Sequence, residues 1–258
     1  MIKYRPKLPG ADRLQMYFGM PYVVDVPELP GSFTITQPTL GDVVKLGEQD
    51  ILSTVGIFAA NTTQYRSLLW ENKIDWNEIT DFELFCMLYR GLDPKVVKLL
   101  FGDDVDFQKF EPKPINLTGE PQLILYNSES NVAINDTAFY LISNYLRDLF
   151  NMHPENEYTE DKMLKKWWIE KDIREVARQK EKPKEPFSLQ PLISACVNHP
   201  GFKYNIQECM QLTIAQFYDS VRRLQLYENA TAVMGGMYSG FVDASKIKPE
   251  SYNWMAET

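Results

Sequence analysis

Hydrophobic positions recur at three- and four-residue spacing along most of the chain, a period that predicts helices. Thr39 and Asp42 mark the start of a helical region, Thr39 as cap and Asp42 in the first turn. Ile51, Leu52, Val55, Phe58 and Ala59 then share one helical face. The next helix carries Tyr65, Leu68, Leu69 and Trp70, with Thr62 or Thr63 as its cap. Thr80 is placed to cap a helix over 81–90, where Phe82, Phe85, Cys86 and Tyr89 keep the period and Gly91 supplies the stop. Asp93-Pro94 starts another over 95–101, because proline fits the first helical turn, and Gly102 ends it. Phe139, Leu141, Ile142, Tyr145, Leu146, Leu149 and Phe150 dominate a helix that begins at Asp136 or Thr137. Ser188 caps a helix over 189–198, and a short one follows over 206–210. From Thr213 a long periodic segment carries Ile214, Phe217, Val221, Leu224 and Tyr227 toward Met234. Gly235-Gly236 predicts a break or thinning there, since a helix-interior glycine costs about 1 kcal/mol.

Two regions depart from the helical period. Residues 1–38 are rich in Pro and Gly and hold two β-prone runs, 22–26 and 32–36. They are expected to lie extended over the domain as an arm, with strand pairing as the other possibility. In the second region, Leu123-Ile124-Leu125-Tyr126 reads as a strand, 127–131 is polar turn material, and Val132-Ala133-Ile134 returns. A β-hairpin over 122–135 follows, with a third strand from 105–110 or 114–117; it must lean on helices to be stable. The fold class is therefore mainly α: a multi-helix domain with a small β-hairpin and an extended N-terminal arm. The organisation read from these signals is an arm over 1–38, a helical domain over 39–182 with the hairpin near 105–135, and a C-terminal helical segment, 183–258, packed on the same domain. The segment 180–186, with Pro183 and Pro186, is the best hinge.

The stretch 159–186 is the most charged part of the chain, with nine Lys/Arg and seven Asp/Glu. Residues 159–180 lack Pro and Gly, are rich in strong helix formers, and place Ile169, Ile173, Val176 and Ala177 at helical spacing. One continuous helix ending before Pro183 is predicted. Its net charge of +2 leaves −10 on the rest of a chain whose total is −8 (27 Lys+Arg against 35 Asp+Glu), so it is a solvated mixed-charge helix and not a phosphate track. No nucleic-acid partner is expected. No apolar run is long enough to span a bilayer, and the first residues carry no apolar signal core, so neither membrane nor export is expected.

Candidate chemistry is sparse. Cys86, Cys196 and Cys209 are far apart, odd in number and form no CxxC pair, which suits a reducing compartment. His153 and His199 both precede proline. A nucleophilic pairing of Cys196 or Cys209 with His199 is conceivable, but no signature supplies an oriented base or an oxyanion hole. Asp103, Asp104 and Asp106 lack the glycine and distal glutamate of a calcium loop and read as a turn. Phosphate-loop, nucleophile-elbow and zinc-protease motifs are missing. The expectation is a non-enzymatic protein with no catalytic residue, metal or cofactor.

What stands out instead is aromatic. Trp167-Trp168 lies among Lys165, Lys166, Glu170 and Lys171, and adjacent helical residues point about 100° apart. Both rings pack into the domain with lysine stems against them, or one is an exposed anchor for a protein partner. Met237, Tyr238 and Trp254 belong to a Met- and Tyr-rich C-terminal stretch that is either core or an adaptable contact surface; Trp254 either docks back or stays available.

The sequence also resembles a family. ITQPTLGDVVKLGE at 35–48, KIDWNEITDFELFCMLYRGL at 73–92, LLFGD at 99–103 and YSGFVDASKI at 238–247 occur in an acidic, mostly helical chain. Together they look like the tail assembly chaperones of long-tailed phages of Gram-positive bacteria. The resemblance implies a role in binding and holding the tape-measure protein, or tail-tube subunits, before tail polymerisation, in the host cytoplasm and with homo-oligomers possible. It carries no catalytic residue, and the segment around Trp167 and Trp168 matches no family motif. The alternative reading is a structural component of the virion tail or baseplate.

Overall fold

Alternation at 22–35 puts Val24, Phe33 and Ile35 on one side of the backbone, and all three are buried. In the computed structural model, which describes residues 12–116, 121–181, 187–241 and 243–255, these runs pair as an antiparallel hairpin. The hairpin follows α1 (Arg13–Tyr17) and comprises β1 (Tyr22–Asp25) and β2 (Ser32–Ile35), with Val24 opposite Phe33 and Tyr22 opposite Ile35. Residues 22–35 thus pair as strands and bury one face in the core instead of lying as an extended arm, whereas α1 has no buried residue. The reason is burial: one face of each run is apolar enough to be drawn out of water. Gly31 turns into β2 with φ +74°, and a Cβ there would meet Asn131 O and Val132 Cγ2 at 2.9 Å.

The helices follow in order: α2 (Leu40–Leu46), α3 (Glu48–Ala59), α4 (Arg66–Glu71), α5 (Asp81–Leu88) and α6 (Pro94–Phe101). The cap at Thr80 is a full capping box with Glu83, and Asp93 accepts the N–H groups of Lys95 and Val96 ahead of α6. Gly91 closes a 3-10 turn, Tyr89–Gly91, instead of stopping the helix in a left-handed conformation. Neither Thr62 nor Thr63 caps α4; Tyr65 stands at that position without a side-chain hydrogen bond. The two threonines have other partners: Thr62 N–H donates to Asp81 (3.2 Å), and Thr63 Oγ1 accepts from Glu157 N–H (3.1 Å).

The expected hairpin is present as β4 (Pro121–Asn127) and β5 (Val132–Ile134), preceded by β3 (Glu111–Asn116) on the other edge of β4. Residues 107–109 form a 3-10 turn, so the third strand is not at 105–110; it overlaps the other expected range, 114–117, and starts three residues earlier, at Glu111. Pro112 and Pro114 share one edge of β3 and have no N–H, so that edge offers little to a further strand.

Next come α7 (Asp136–Phe150) and α8 (Lys162–Glu181). Arg147 of α7 is buried and donates to the carbonyls of Ala59 (2.8 Å) and Ala60 (2.9 Å), satisfying the C-terminal end of α3. The core between these elements is aromatic. Phe58 contacts Phe85, Phe107 and Phe101 with ring centres 5.0, 5.3 and 5.4 Å apart.

The remaining helices are α9 (Gln190–Val197), α10 (Ile206–Cys209) and α11 (Ile214–Tyr238). Mainly α is the architecture found. The helix α11 opens on a capping box at Thr213 and Gln216 and runs unbroken through Gly235-Gly236, so the expected break is not present. Compact packing divides the chain into two units: one of residues through Pro38 and Asp42–Phe187, the other of Thr39–Gly41 and the residues from Ser188 on. The sequence places the second segment's start at 183; within the expected hinge, 182–186 lie outside the described residues. In the second unit, Leu40 N–H donates to Leu212 O (3.0 Å) and Gly41 N–H to Met210 O (2.8 Å).

Candidate protein-binding surface

The residues preceding α8 decide where it begins. Three side chains take alternate carbonyls of the irregular segment 152–161. Asn61 donates to Glu155 O (2.7 Å), Trp76 Nε1 to Glu157 O (3.3 Å) and Asn77 to Thr159 O (2.8 Å). Asp161 then accepts from the N–H groups of Met163 (2.7 Å) and Leu164 (3.1 Å). The helix therefore starts at Lys162, three residues after the predicted start at 159, and runs without a break to Glu181.

One side of α8 is fixed to its unit. Ile169 is buried in a cluster with Ala60, Leu69, Trp76 and Leu84. Trp168 is half-buried against the same cluster, its ring 6.5 Å from that of Trp76. Arg66, nearly buried on α4, pairs with Asp172 and Glu157 and lies 5.3 Å above the Trp168 ring. Burial works against the Arg66 charge, but the hydrogen bonds and fields of Asp172 and Glu157 outweigh it and raise its pKa. Lys165 pairs with Asp75 and sits 5.5 Å from the Trp76 ring.

The opposite side is open. Trp167 is 55% exposed. At 100° per residue, Trp167, Lys171, Arg174 and Arg178 fall on one stripe, roughly 160° around the helix from Ile169. With Glu175 they line a shallow groove. The Lys171 ammonium lies 5.7 Å from the Trp167 ring centre. Arg174 donates to Glu170 at 3.2 Å and Arg178 to Glu175 at 2.9 Å, all exposed or nearly so. Beyond Asp172 no residue of α8 is buried, and even Ile173 and Val176 are exposed.

The other singled-out residues lie in the second unit. Met237 is half-buried and Tyr238 is 89% exposed at the end of α11. Trp254 docks back: its ring meets Tyr227 edge-on at 5.6 Å, and its carbonyl accepts from Arg223 (3.0 Å). Asn229 holds Ser251 O in the same way at 3.3 Å. Trp167 and Trp168 thus share one helix with opposite roles, and the residues near the C-terminus form a separate group.

Sequence reading missed Arg66, Glu157 and Asp172, which are far apart in the chain and carry no local signal. It also missed the spacing of Lys171, Arg174 and Arg178 from Trp167, which was legible as steps of four, seven and eleven.

No thiol–imidazole pair is assembled. His199 Nδ1 accepts from Gly201 N–H (3.0 Å), and its Nε2 faces the Glu228 carboxylate at 3.2 Å. Burial raises the pKa of Cys196; it also raises that of Cys209, where the field of Cys196 adds to it. Burial, with the Glu83 field, pushes Cys86 up to about 12. Among the described residues no group of three His, Cys, Asp or Glu is placed to hold a metal, and no helix is long and apolar enough to cross a membrane.

Residues 179–258 match the family model described as the YomV second domain, so a YomV-type, phage-associated domain is present there. The match takes in every described residue of the second unit from Ser188 on. No curated protein and no solved structure matches the chain.

Proposed function

We propose that the protein is a non-enzymatic assembly chaperone or adaptor of phage tails, which binds tail proteins such as the tape-measure or tail-tube protein in the host cytoplasm. The observation that carries this reading is the open side of α8, where an indole is left in water beside three cations although its neighbour packs on Trp76. A large exposed aromatic with a polar rim is the composition of an interface centre. The phage-associated domain over 179–258 is in keeping with a phage protein, and the resemblance of 35–48, 73–92, 99–103 and 238–247 to tail assembly chaperones supports a tail-protein partner.

The test is co-expression with the tape-measure protein of the same phage, followed by affinity capture and by mass spectrometry of purified particles. Capture together with absence from particles supports the chaperone reading. A fixed copy number in particles supports the virion-component reading in its place. Failure to capture any tail protein contradicts both.

A further inference from the structure

We propose that the stripe Trp167–Lys171–Arg174–Arg178 receives an acidic helical segment of the partner, with carboxylates at three- and four-residue spacing and one apolar side chain on the indole. This rests on the protein-binding reading above and names the chemistry of what is bound. Three observations support it. The three cations and the indole follow one line along α8 over eleven residues, about 16 Å. A second helix laid along that line would bring a side chain to each of them at the same spacing. Along the stripe three positive groups stand against two carboxylates, Glu175 in the groove and Glu170 beside Arg174, so one positive charge is left over.

Charge selects the occupant. The stripe carries a local positive excess on a chain of net charge −8, so it favours an acidic partner over a basic one. The same stripe of a second copy is repelled by its like charges. The cations are free to exchange partners: Arg174–Glu170 and Arg178–Glu175 are surface pairs within one helix, with arginine side chains 76% and 68% exposed. Such pairs are worth little in water, whereas a guanidinium can grip an incoming carboxylate with two hydrogen bonds.

The probes are two labelled synthetic helical peptides of about 20 residues, long enough to be helical when alanine-rich. One carries Glu at positions i, i+4 and i+7 beside a Leu; the other has Gln in place of Glu. Fluorescence anisotropy is read with the full chain and with the W167A and R174E/R178E variants. The Glu peptide is expected to bind at least about tenfold more tightly than the Gln peptide and to weaken steeply with salt. W167A should lose about tenfold, and R174E/R178E should reverse the preference, both with unchanged melting temperatures. Equal binding of the two peptides, binding of neither, or variants that bind like the wild type overturns the proposal. Tape-measure capture is measured on the same variants. Capture that survives both substitutions leaves the functional reading standing and removes this surface from it. Selective peptide binding without any tail-protein capture supports the surface and contradicts the functional reading.

Discussion

Trp168 meets Trp76 edge-on, ring centres 6.5 Å apart and planes at 61°, while Trp167 next to it points into water. One helix step separates a packing residue from an exposed one, and substitution should separate them as cleanly. W168A removes a half-buried ring from the cluster around Trp76 and should cost roughly 2–4 kcal/mol, with a matching fall in melting temperature. W167A should change stability by less than about 0.5 kcal/mol. Equilibrium urea unfolding of both variants checks this.

Arg66 ties α4 to α8 and to the segment before it. Removing the guanidinium leaves two carboxylates without their cation, so R66L should destabilise by about 2–4 kcal/mol. R66K should restore only part of this, because Arg66 reaches Asp172 through two nitrogens and Glu157 through a third. Thermal melts of the two variants decide it, and equal stability of R66K and wild type would argue against the fork geometry.

Gly235 lies inside α11, and a Cβ there meets nothing within 4 Å. G235A should therefore stabilise the helix by about 0.5–1 kcal/mol. Gly31 is the opposite case: its φ is positive and its Cβ position is occupied, so G31A should destabilise by more than about 1 kcal/mol. Melting temperatures moving in opposite directions are the expected result.

Cys86 is held protonated by burial and by Glu83, with a pKa of about 12. At pH 8.5 such a thiol is almost wholly protonated, whereas an ordinary cysteine, with a pKa near 9, has a substantial thiolate fraction. Alkylation by iodoacetamide at that pH should spare Cys86 in the native protein and label it fully in urea. The pKa is raised in the fold, so this thiol's contribution to stability is intact below the unfolded value near 9 and is lost as pH climbs from there toward 12. Unfolding midpoints measured at increasing pH through that range should fall.

Several helix starts set by local chemistry were legible in the sequence, whereas the stop at Gly91 and the cap at Ser188 were not: α5 ends at Leu88, and Leu189 stands before α9. Thr80, Asp93-Pro94 and Thr213 were legible as starts, and each helix begins there; the fold adds the capping partners Glu83 and Gln216. Where tertiary contacts decide, the sequence was not enough. Thr62 and Thr63 look like caps but are taken by Asp81 and Glu157, from 19 and 94 residues away. The start of α8 moved from 159 to 162 because Asn77 holds the Thr159 carbonyl. The N-terminal runs pair because Val24, Phe33 and Ile35 find a core that no local pattern announces. At the candidate site, the helix and its aromatic pair were readable. Which indole faces water depends on Trp76, ninety-two residues upstream, and only the fold could tell.

If the open side of α8 is where a tail protein binds, hydrogen exchange read by mass spectrometry, with the chain alone and with the captured tape-measure protein, should show it. No residue of α8 beyond Asp172 is buried, so its backbone amides there should exchange early in the free protein. Binding should slow exchange across 163–181 while the amides of α3 and α7 stay as they were. Protection confined to the end of α11 and 243–255, with 163–181 unchanged, would contradict it and move the interface to the second unit.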